Sequence, residues 1–296
     1  MNLIHFRGLN CYHDCIVTIA ASLGLDYRAS FATLWSETDF IYDPHSKVYL
    51  TKRMIANLQT LGAKLEKLDC SSPENMKESL SQFKAGEWII IGTDTFYIPW
   101  TRYYHTLYNT HHFMVRKERD DSLSCADPTC GRQDMRITFE EIIPHIFDIK
   151  RVRRIAEKPL NFGAIREARA VLRSHPEMRK SLLEKMNGCT GAKQKDAGLL
   201  ARYISAMIDN RYLFRHYLQN RPSSSDQDRQ LFSDEFFLRW AAVKNGLFKA
   251  SLIRPNESVL RDVCGRAGEL IDEEIAMAEK MIETAYQHGD SELGLR

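Results

Sequence analysis

The sequence lacks the long apolar runs that a membrane-spanning helix requires. Such a helix needs about 20 consecutive, mainly apolar residues, and no run in this 296-residue chain reaches that length. An excess of positive charge is also missing, because 41 Lys and Arg residues stand against 39 Asp and Glu residues. Nucleic-acid-binding proteins typically carry a basic face. We therefore expect neither a membrane nor a nucleic acid among the partners.

The start of the chain lacks the apolar core of a secretory signal peptide, since residues 1–8 read Met-Asn-Leu-Ile-His-Phe-Arg-Gly. Seven cysteines without an export signal indicate reduced thiols and a cytoplasmic location. Cys125 and Cys130 have a spacing that metal ligands can have, but no second Cys or His pair follows at zinc-finger spacing. We expect no metal and no cofactor.

The hydrophobic pattern changes character along the chain and predicts an α+β fold in two domains, 1–158 and 159–296, with Pro159 as boundary marker. In the first domain it predicts a helix that starts at Cys11, strands over 88–92, 112–115 and 122–126, a hairpin turn over 116–121, and a helix over 138–149 that Pro144 kinks or splits. In the second it predicts helices over 163–172, 178–186, 195–218, 233–248 and 258–286, with a polar loop over 221–226.

Cys11 is the strongest candidate for a nucleophile. It opens the predicted helix, which a run of apolar residues continues and Gly24 ends. A thiol in the first turn of a helix faces unpaired backbone N–H groups and the positive end of the helix dipole. Both favour the thiolate, which is the reactive form of cysteine. Cys15 lies one turn later, and we interpret it as a packing residue, since one helical turn is poor geometry for a disulfide.

A base and an orienting carboxylate follow in the second half of the predicted domain. His112 begins one predicted strand and Asp127 ends the next, so that the hairpin can bring imidazole and carboxylate together. His111 is the alternative base, but neighbouring residues of a strand point to opposite faces. The order of Cys, His and Asp along the chain is that of papain-like cysteine enzymes. Cys11, His112 and Asp127 therefore form the predicted catalytic triad.

The sequence around these three residues resembles that of the peptidase domain of bacteriocin-exporting transporters, which has a papain-like fold. The matching features are Cys11 with a second Cys one turn on, His112-Phe113-Met114-Val115, and Asp127-Pro128. That family has an oxyanion-hole Gln six residues before the Cys, where this chain has His5. An imidazole can also donate a hydrogen bond, so His5 becomes the predicted oxyanion donor.

The segment from Ile90 to Phe113 is similar to the butirosin-biosynthesis protein H family. It carries Asp94-Thr95-Phe96-Tyr97-Ile98-Pro99-Trp100 and then His111-His112-Phe113, against the family's Asp-x-Phe/Tyr-x-Leu-Pro-Tyr and His-His-Tyr. The resemblance covers roughly residues 1–155, and the helical second half agrees with that family's layout.

The resemblance implies an acyltransferase of a natural-product pathway of the nonribosomal peptide or polyketide type. Such an enzyme takes an acyl group from a carrier-protein thioester onto cysteine and passes it to an amine or alcohol. The partners would be an acyl or peptidyl carrier protein, whose phosphopantetheine arm belongs to the substrate, and a small-molecule acceptor; a homo-oligomer is also compatible. A thioesterase or peptidase would use the same triad. The alternative that is not an enzyme is a binding or scaffold protein that kept the fold. We expect the helical domain to cover or extend the cleft.

Four further residues are candidates for substrate binding. Asp94 ends a predicted buried strand, where its carboxylate could bind a substrate amine or His105, or simply form a turn. Tyr97 and Trp100 belong to an aromatic group that could line an acyl or sugar pocket, although aromatic clusters more often form core.

Overall fold

The computed structural model describes residues 1–43, 48–84, 86–118, 122–158, 163–189, 194–221, 228, 230–253 and 257–287. The strands are β1 Phe40–Asp43, β2 Val48–Thr51, β3 Ala63–Lys67, β4 Trp88–Asp94, β5 Thr110–Lys117, β6 Ser122–Asp127, β7 Arg132–Thr138 and β8 Asp148–Arg154. The helices are α1 Cys11–Ser22, α2 Arg53–Thr60, α3 Pro73–Ser81, α4 Phe139–Ile142, α5 Ala164–Asn187, α6 Gln194–Asn220, α7 Asp234–Leu252 and α8 Glu257–Gln287. The fold is therefore mixed, with a helical C-terminal region.

The chain forms two compact units that are not continuous in sequence. One consists of Met1–Tyr27 and Ile55–Leu160, and the other of Arg28–Met54 and Asn161–Arg296. We expected residues 28–54 in the first domain, but they group with the helices. Three predicted features lie partly or wholly outside the described residues: the hairpin turn at 119–121, the loop at 222–226 and the boundary marker Pro159.

The first unit is built around a six-stranded antiparallel sheet in the order β3-β8-β4-β5-β6-β7. Alternate residues of its central strands, among them Ile91, Phe113 and Ile149, form a buried core with Met76 and Leu80 of α3. Strand periodicity places the intervening residues on the opposite face. Helix α1 packs against β4, β5 and β8.

The predicted helix over 138–149 is much shorter in the structure. Its start is as expected, because Thr138 and Glu141 form a capping box. The α-helix ends at Ile142 and is followed by a 3₁₀ turn, Ile143–His145, that contains Pro144. Proline lacks an N–H and clashes with the preceding turn of a helix. The chain after it becomes β8, which puts Asp148 at the start of a strand rather than inside a helix.

The second unit encloses a buried ionic cluster around Glu274, whose side chain is fully buried. Its carboxylate accepts hydrogen bonds from Arg211 (2.9 Å), His175 (2.8 Å), Trp35 (2.9 Å) and Trp240 (3.2 Å). Burial raises the pKa of Glu274, but Arg211 and His175 lower it more, to about 2. The cluster joins α5, α6, α7 and α8 to the segment 28–54.

A further finding concerns membrane insertion. Across the part of the chain that the structure describes, none of the helices combines the length and apolar character that crossing a membrane would require.

Replacing Glu274 by Gln should destabilise the protein by about 3–5 kcal/mol, because it leaves the Arg211 charge buried without a counter-ion. Urea unfolding followed by circular dichroism measures the change. The matched control is Glu273→Gln, since Glu273 pairs with Arg239 at the surface and such pairs contribute at most about 1 kcal/mol. Equal losses in the two variants would contradict the assignment of this cluster as a buried ionic network.

Candidate active site

Cys11 is the first residue of α1, as its sequence position predicts. Asn10 caps the helix, because its side-chain oxygen accepts a hydrogen bond from the N–H of His13 at 2.9 Å. The following turns are buried against the sheet, from His13 to Ala20. Burial of these consecutive residues fixes the position of the helix and, with it, that of the Cys11 thiol in the first turn.

His112 of β5 lies next to this thiol. The distance between Cys11 Sγ and His112 Nδ1 is 3.9 Å. Two aromatic rings contact the imidazole, that of Tyr12 at 5.1 Å and that of Phe147, edge-on, at 5.6 Å between ring centroids. The predicted contact between the candidate nucleophile and the candidate base is therefore present.

The carboxylate that holds His112 is Asp148, and the expected partner Asp127 lies elsewhere. His112 Nε2 is 3.3 Å from Asp148 Oδ2. In the sheet register His112 pairs with Gly92, and Gly92 pairs with Asp148 on its other side. All three residues therefore form one row on one face, and the imidazole reaches across the glycine. A Cβ at Gly92 would lie 2.8 Å from His112 Nε2 and 2.9 Å from Asp148 Cβ.

Asp127 instead holds His111. Asp127 Oδ2 is 2.8 Å from His111 Nε2, and the carboxylate also accepts hydrogen bonds from Trp100 Nε1 at 2.9 Å and from the N–H of Cys130 at 3.1 Å. The sequence predicts a pairing of Asp127 with His112, since they end and begin neighbouring strands. In the β5–β6 register, His112 and Asp127 lie on opposite faces of the sheet, whereas His111 lies on the same face as Asp127.

The imidazoles of His111 and His112 both lower the pKa of the Cys11 thiol. Burial raises the pKa of Cys11, but the hydrogen bonds from His111 and His112 and their charges lower it more, to about 6. The pKa of His111 is affected first by burial, which lowers it, but Asp127 and the neighbouring thiols raise it well above its ordinary value. The same competition raises the pKa of His112. The arrangement favours a thiolate beside protonated imidazole.

Lys150 distinguishes the two His–Asp pairs. Its ammonium group bonds to Asp148 Oδ2 and lies 4.3 Å from the centroid of the Tyr12 ring. The charge of Lys150 lowers the pKa of His112 and opposes the effect of Asp148. Asp127 is fully buried and has His111 beside it. Asp148 therefore has two basic partners, His112 and Lys150, whereas Asp127 hydrogen-bonds to the imidazole of His111.

His5, the expected oxyanion donor, is held by Asp14 of α1. His5 Nδ1 lies 2.8 Å from Asp14 Oδ2, which also accepts a hydrogen bond from Thr129 at 2.6 Å. Burial raises the pKa of Asp14 to about 6, against the effects of Thr129 and His5. Because Nδ1 is engaged, Nε2 of the half-exposed His5 ring is left as its remaining hydrogen-bonding atom.

The candidate substrate-binding residues have different surroundings. Trp100 contacts the site directly through Asp127. Asp94 forms a turn, since its Oδ1 accepts hydrogen bonds from the N–H groups of Phe96 and Asn109, each at 3.0 Å. The Tyr97 ring stacks on His145, and His105 stacks on Tyr104. Of the four residues, the described contacts join Trp100 alone to the two His–Asp pairs.

Sequence reasoning missed Asp148, Lys150 and the role of Gly92. The one available signal was Gly92 itself, which follows three isoleucines inside a buried strand. A glycine inside a strand often marks a place where another group approaches closely.

A group of metal-ligand type is also present within the part of the chain that is described. One ligand atom each of His111, Asp127 and Cys130 lie within 4.8 Å of one another. The imidazole and carboxylate of this group already bond to each other, as in a catalytic dyad. All seven cysteines are free thiols.

Comparison with protein-family models and with curated proteins gives no match to this chain.

Cys11 should react with iodoacetamide ahead of the other six cysteines at pH 6, because about half of it is thiolate near its pKa of about 6. Burial raises the pKa of Cys15 and Cys125. Peptide mapping after sub-stoichiometric labelling measures the order. Cys130 is exposed, and its labelling before Cys11 would refute the expectation.

Replacing Gly92 by Ala should separate His112 from Asp148, because the added Cβ would occupy the space through which the imidazole reaches its carboxylate. We expect the midpoint of the pH profile for Cys11 alkylation to rise above its original value. Gly265→Ala in α8 is the matched control, since a Cβ there meets no atom within 4 Å. Asp148→Asn removes the same interaction without steric strain, and an unchanged midpoint in both variants would contradict the role of this row.

Proposed function

We propose that the protein is a cysteine-dependent acyltransferase with a papain-like catalytic unit. The observation that carries the proposal is the Cys11 thiol at a helix N-terminus, in contact with the imidazole of His112, which in turn contacts the carboxylate of Asp148. A nucleophile, a base and a group that orients the base are the parts that acyl transfer requires. The order of Cys, His and Asp along the chain and the antiparallel sheet behind helix α1 support a papain-like fold.

The proposed reaction has two steps. The Cys11 thiolate attacks the carbonyl carbon of a carrier-bound thioester, and the tetrahedral intermediate expels the thiolate of the phosphopantetheine arm. An amine or alcohol acceptor then attacks the acyl-enzyme, His112 takes its proton, and Cys11 leaves as thiolate. The backbone N–H of Cys11, with His5, would hold the oxyanion.

The resemblance to the butirosin-biosynthesis protein H family supports transfer rather than hydrolysis. On this proposal the partners are an acyl or peptidyl carrier protein and a small-molecule acceptor, in a cytoplasmic natural-product pathway. The resemblance assigns Asp127 to orient the catalytic base. Asp127 hydrogen-bonds to His111, and we assign the orientation of His112 to Asp148. A thioesterase or peptidase is the competing activity, because its covalent step would use the same residues.

The acyl-enzyme is the intermediate that tests this proposal. Incubation with S-acyl-N-acetylcysteamine thioesters, which mimic the end of the carrier arm, should add the mass of the acyl group to Cys11. A panel of acetyl, octanoyl and glycyl thioesters, each with added small amines and alcohols, should show discharge of the adduct into an amide or ester. Intact-protein and peptide mass spectrometry measure both steps.

Cys11→Ala should show no adduct, whereas Cys15→Ala, which removes a buried thiol from the same helix, should retain it. Rapid release of free acid from every thioester, with no product from any amine or alcohol, would favour the thioesterase. Absence of any adduct and of any thioester turnover would refute acyl transfer through Cys11.

A further inference from the structure

We infer that the start of β5 and the turn after β6 form a zinc-binding site outside the proposed catalytic machinery. Its protein ligands are the imidazole of His111, the carboxylate of Asp127 and the thiol of Cys130, and a solvent molecule is the fourth ligand. One ligand atom of each of these residues lies within 4.8 Å of the other two. The acyl transfer proposed above uses none of the three side chains.

Strand pairing and one turn bring the three ligands together. His111 and Asp127 lie on the same face of the neighbouring strands β5 and β6, and His111 Nε2 is 2.8 Å from Asp127 Oδ2. Asp127 Oδ1 accepts a hydrogen bond from the N–H of Cys130 at 3.1 Å, within the turn that leads from β6 to β7. This turn therefore holds the Cys130 thiol near the carboxylate.

The distances between these atoms suit a tetrahedral zinc ion. Zinc bonds of about 2.0–2.3 Å to nitrogen, oxygen and sulfur place the ligand atoms about 3.3–3.7 Å apart. The His111–Asp127 pair at 2.8 Å has to open, and a pair at the 4.8 Å limit has to close, by about 1 Å or less. Cys130 is exposed, and rotation of its side chain about the Cα–Cβ bond supplies a movement of this size.

The donor set favours zinc over the hard divalent cations. Imidazole and thiolate are zinc ligands, whereas magnesium and calcium prefer oxygen. On binding, the zinc–sulfur bond replaces the S–H bond of Cys130, the zinc–nitrogen bond displaces any proton on the bound nitrogen of His111, and these protons go to solvent. The charges of the Asp127 carboxylate and the Cys130 thiolate then balance those of the zinc ion, which lowers the cost of burying it.

The surroundings of Asp127 support the site. Trp100 Nε1 donates a hydrogen bond to Asp127 Oδ2 at 2.9 Å, and such outer contacts orient metal-binding carboxylates. Within the described part of the chain, no lysine or arginine forms an ion pair with Asp127, whose ionic partner is His111. No fixed cation therefore competes with a metal for this carboxylate. The exposed Cys130 gives the ion a path from solvent.

The sequence led us to expect no metal, since no second ligand pair follows Cys125 and Cys130 at zinc-finger spacing. In the structure Cys125 does not belong to the group, and its thiol donates a hydrogen bond to the carbonyl oxygen of Leu123. The other two ligands come from residues that are sixteen positions apart in sequence and meet only across the paired strands. Spacing along the chain therefore does not reveal this site.

Cobalt titration tests the site directly, because Co²⁺ replaces zinc and its bond to a thiolate gives a charge-transfer absorption band. The full-length protein is reduced, freed of metal with EDTA and titrated with Co²⁺. We expect an equimolar amount of Co²⁺ to produce this band together with the intense visible bands of tetrahedral cobalt. An equimolar amount of Zn²⁺ should then abolish them, whereas Mg²⁺ should leave them unchanged.

Cys130→Ser should lose the charge-transfer band, because serine supplies no thiolate. The matched control is Cys70→Ser, since Cys70 is a partly exposed thiol that donates to the Phe147 carbonyl oxygen and lies outside the group; it should retain the band. Trp100→Phe removes the hydrogen bond to Asp127 and keeps the ligands, so zinc binding should weaken by about 10–100-fold. Competition with a chromophoric chelator measures the zinc affinity.

Three outcomes would overturn the site. The first is the absence of a charge-transfer band in the wild-type protein. The second is a band that persists in Cys130→Ser and disappears in Cys11→Ala, which would place the metal at the candidate nucleophile. The third is equal zinc affinity of the wild type, Cys130→Ser and Asp127→Asn. These measurements require no acyl transfer, so failure of the proposed function and failure of the zinc site are distinguishable.

Discussion

The absence of a side chain at Gly92 is the constraint on which the geometry of the candidate site depends. Neighbouring strands lie about 4.8 Å apart, so two side chains on either side of a central strand start nearly 10 Å from each other. His112 and Asp148 meet because the residue between them has no side chain. The same register presents His112 to the thiol of α1, which packs on β4, β5 and β8. Pairing of three strands, rather than any local motif, therefore assembles this half of the site.

The ionisable groups around Cys11 are nearly balanced in the sign of their charges, and they are buried or half-buried. The Cys11 thiol contacts His112, which with Lys150 contacts Asp148, and His111 contacts Asp127. Each buried charge has a partner of opposite sign, which offsets the cost of removing it from water. Fixed partners of this kind also need no reorganisation when charge moves during a reaction. The network thus accounts both for the tolerated burial and for the lowered pKa of the thiol.

The sequence pattern alone was sufficient to predict part of this arrangement. The apolar spacing and Gly24 predicted α1 with Cys11 at its start, and the capping residues predicted the helix after Thr138. The sequence also predicted β5 and β6, but it paired Asp127 with His112, whereas the structure pairs Asp127 with His111. The partner of His112 could not be predicted in this way, because it depends on the pairing of β8 with β4, more than fifty residues apart in sequence. The helix predicted over 138–149 also covers Asp148, the first residue of β8, so the pattern does not place this carboxylate in the sheet.

Residues 28–54 supply buried hydrogen-bond partners to polar side chains of the helical unit. Trp35 donates a hydrogen bond to Glu274, and Glu37 accepts one from Asn210. Both contacts are buried and both come from a segment that ribosomes synthesise before the sheet strands β3 to β8. A recombinant fragment that begins at residue 159 would therefore retain Glu274 and Asn210 without these partners. Producing the helical unit by itself would require a permuted chain in which residues 28–54 are rejoined to the helices.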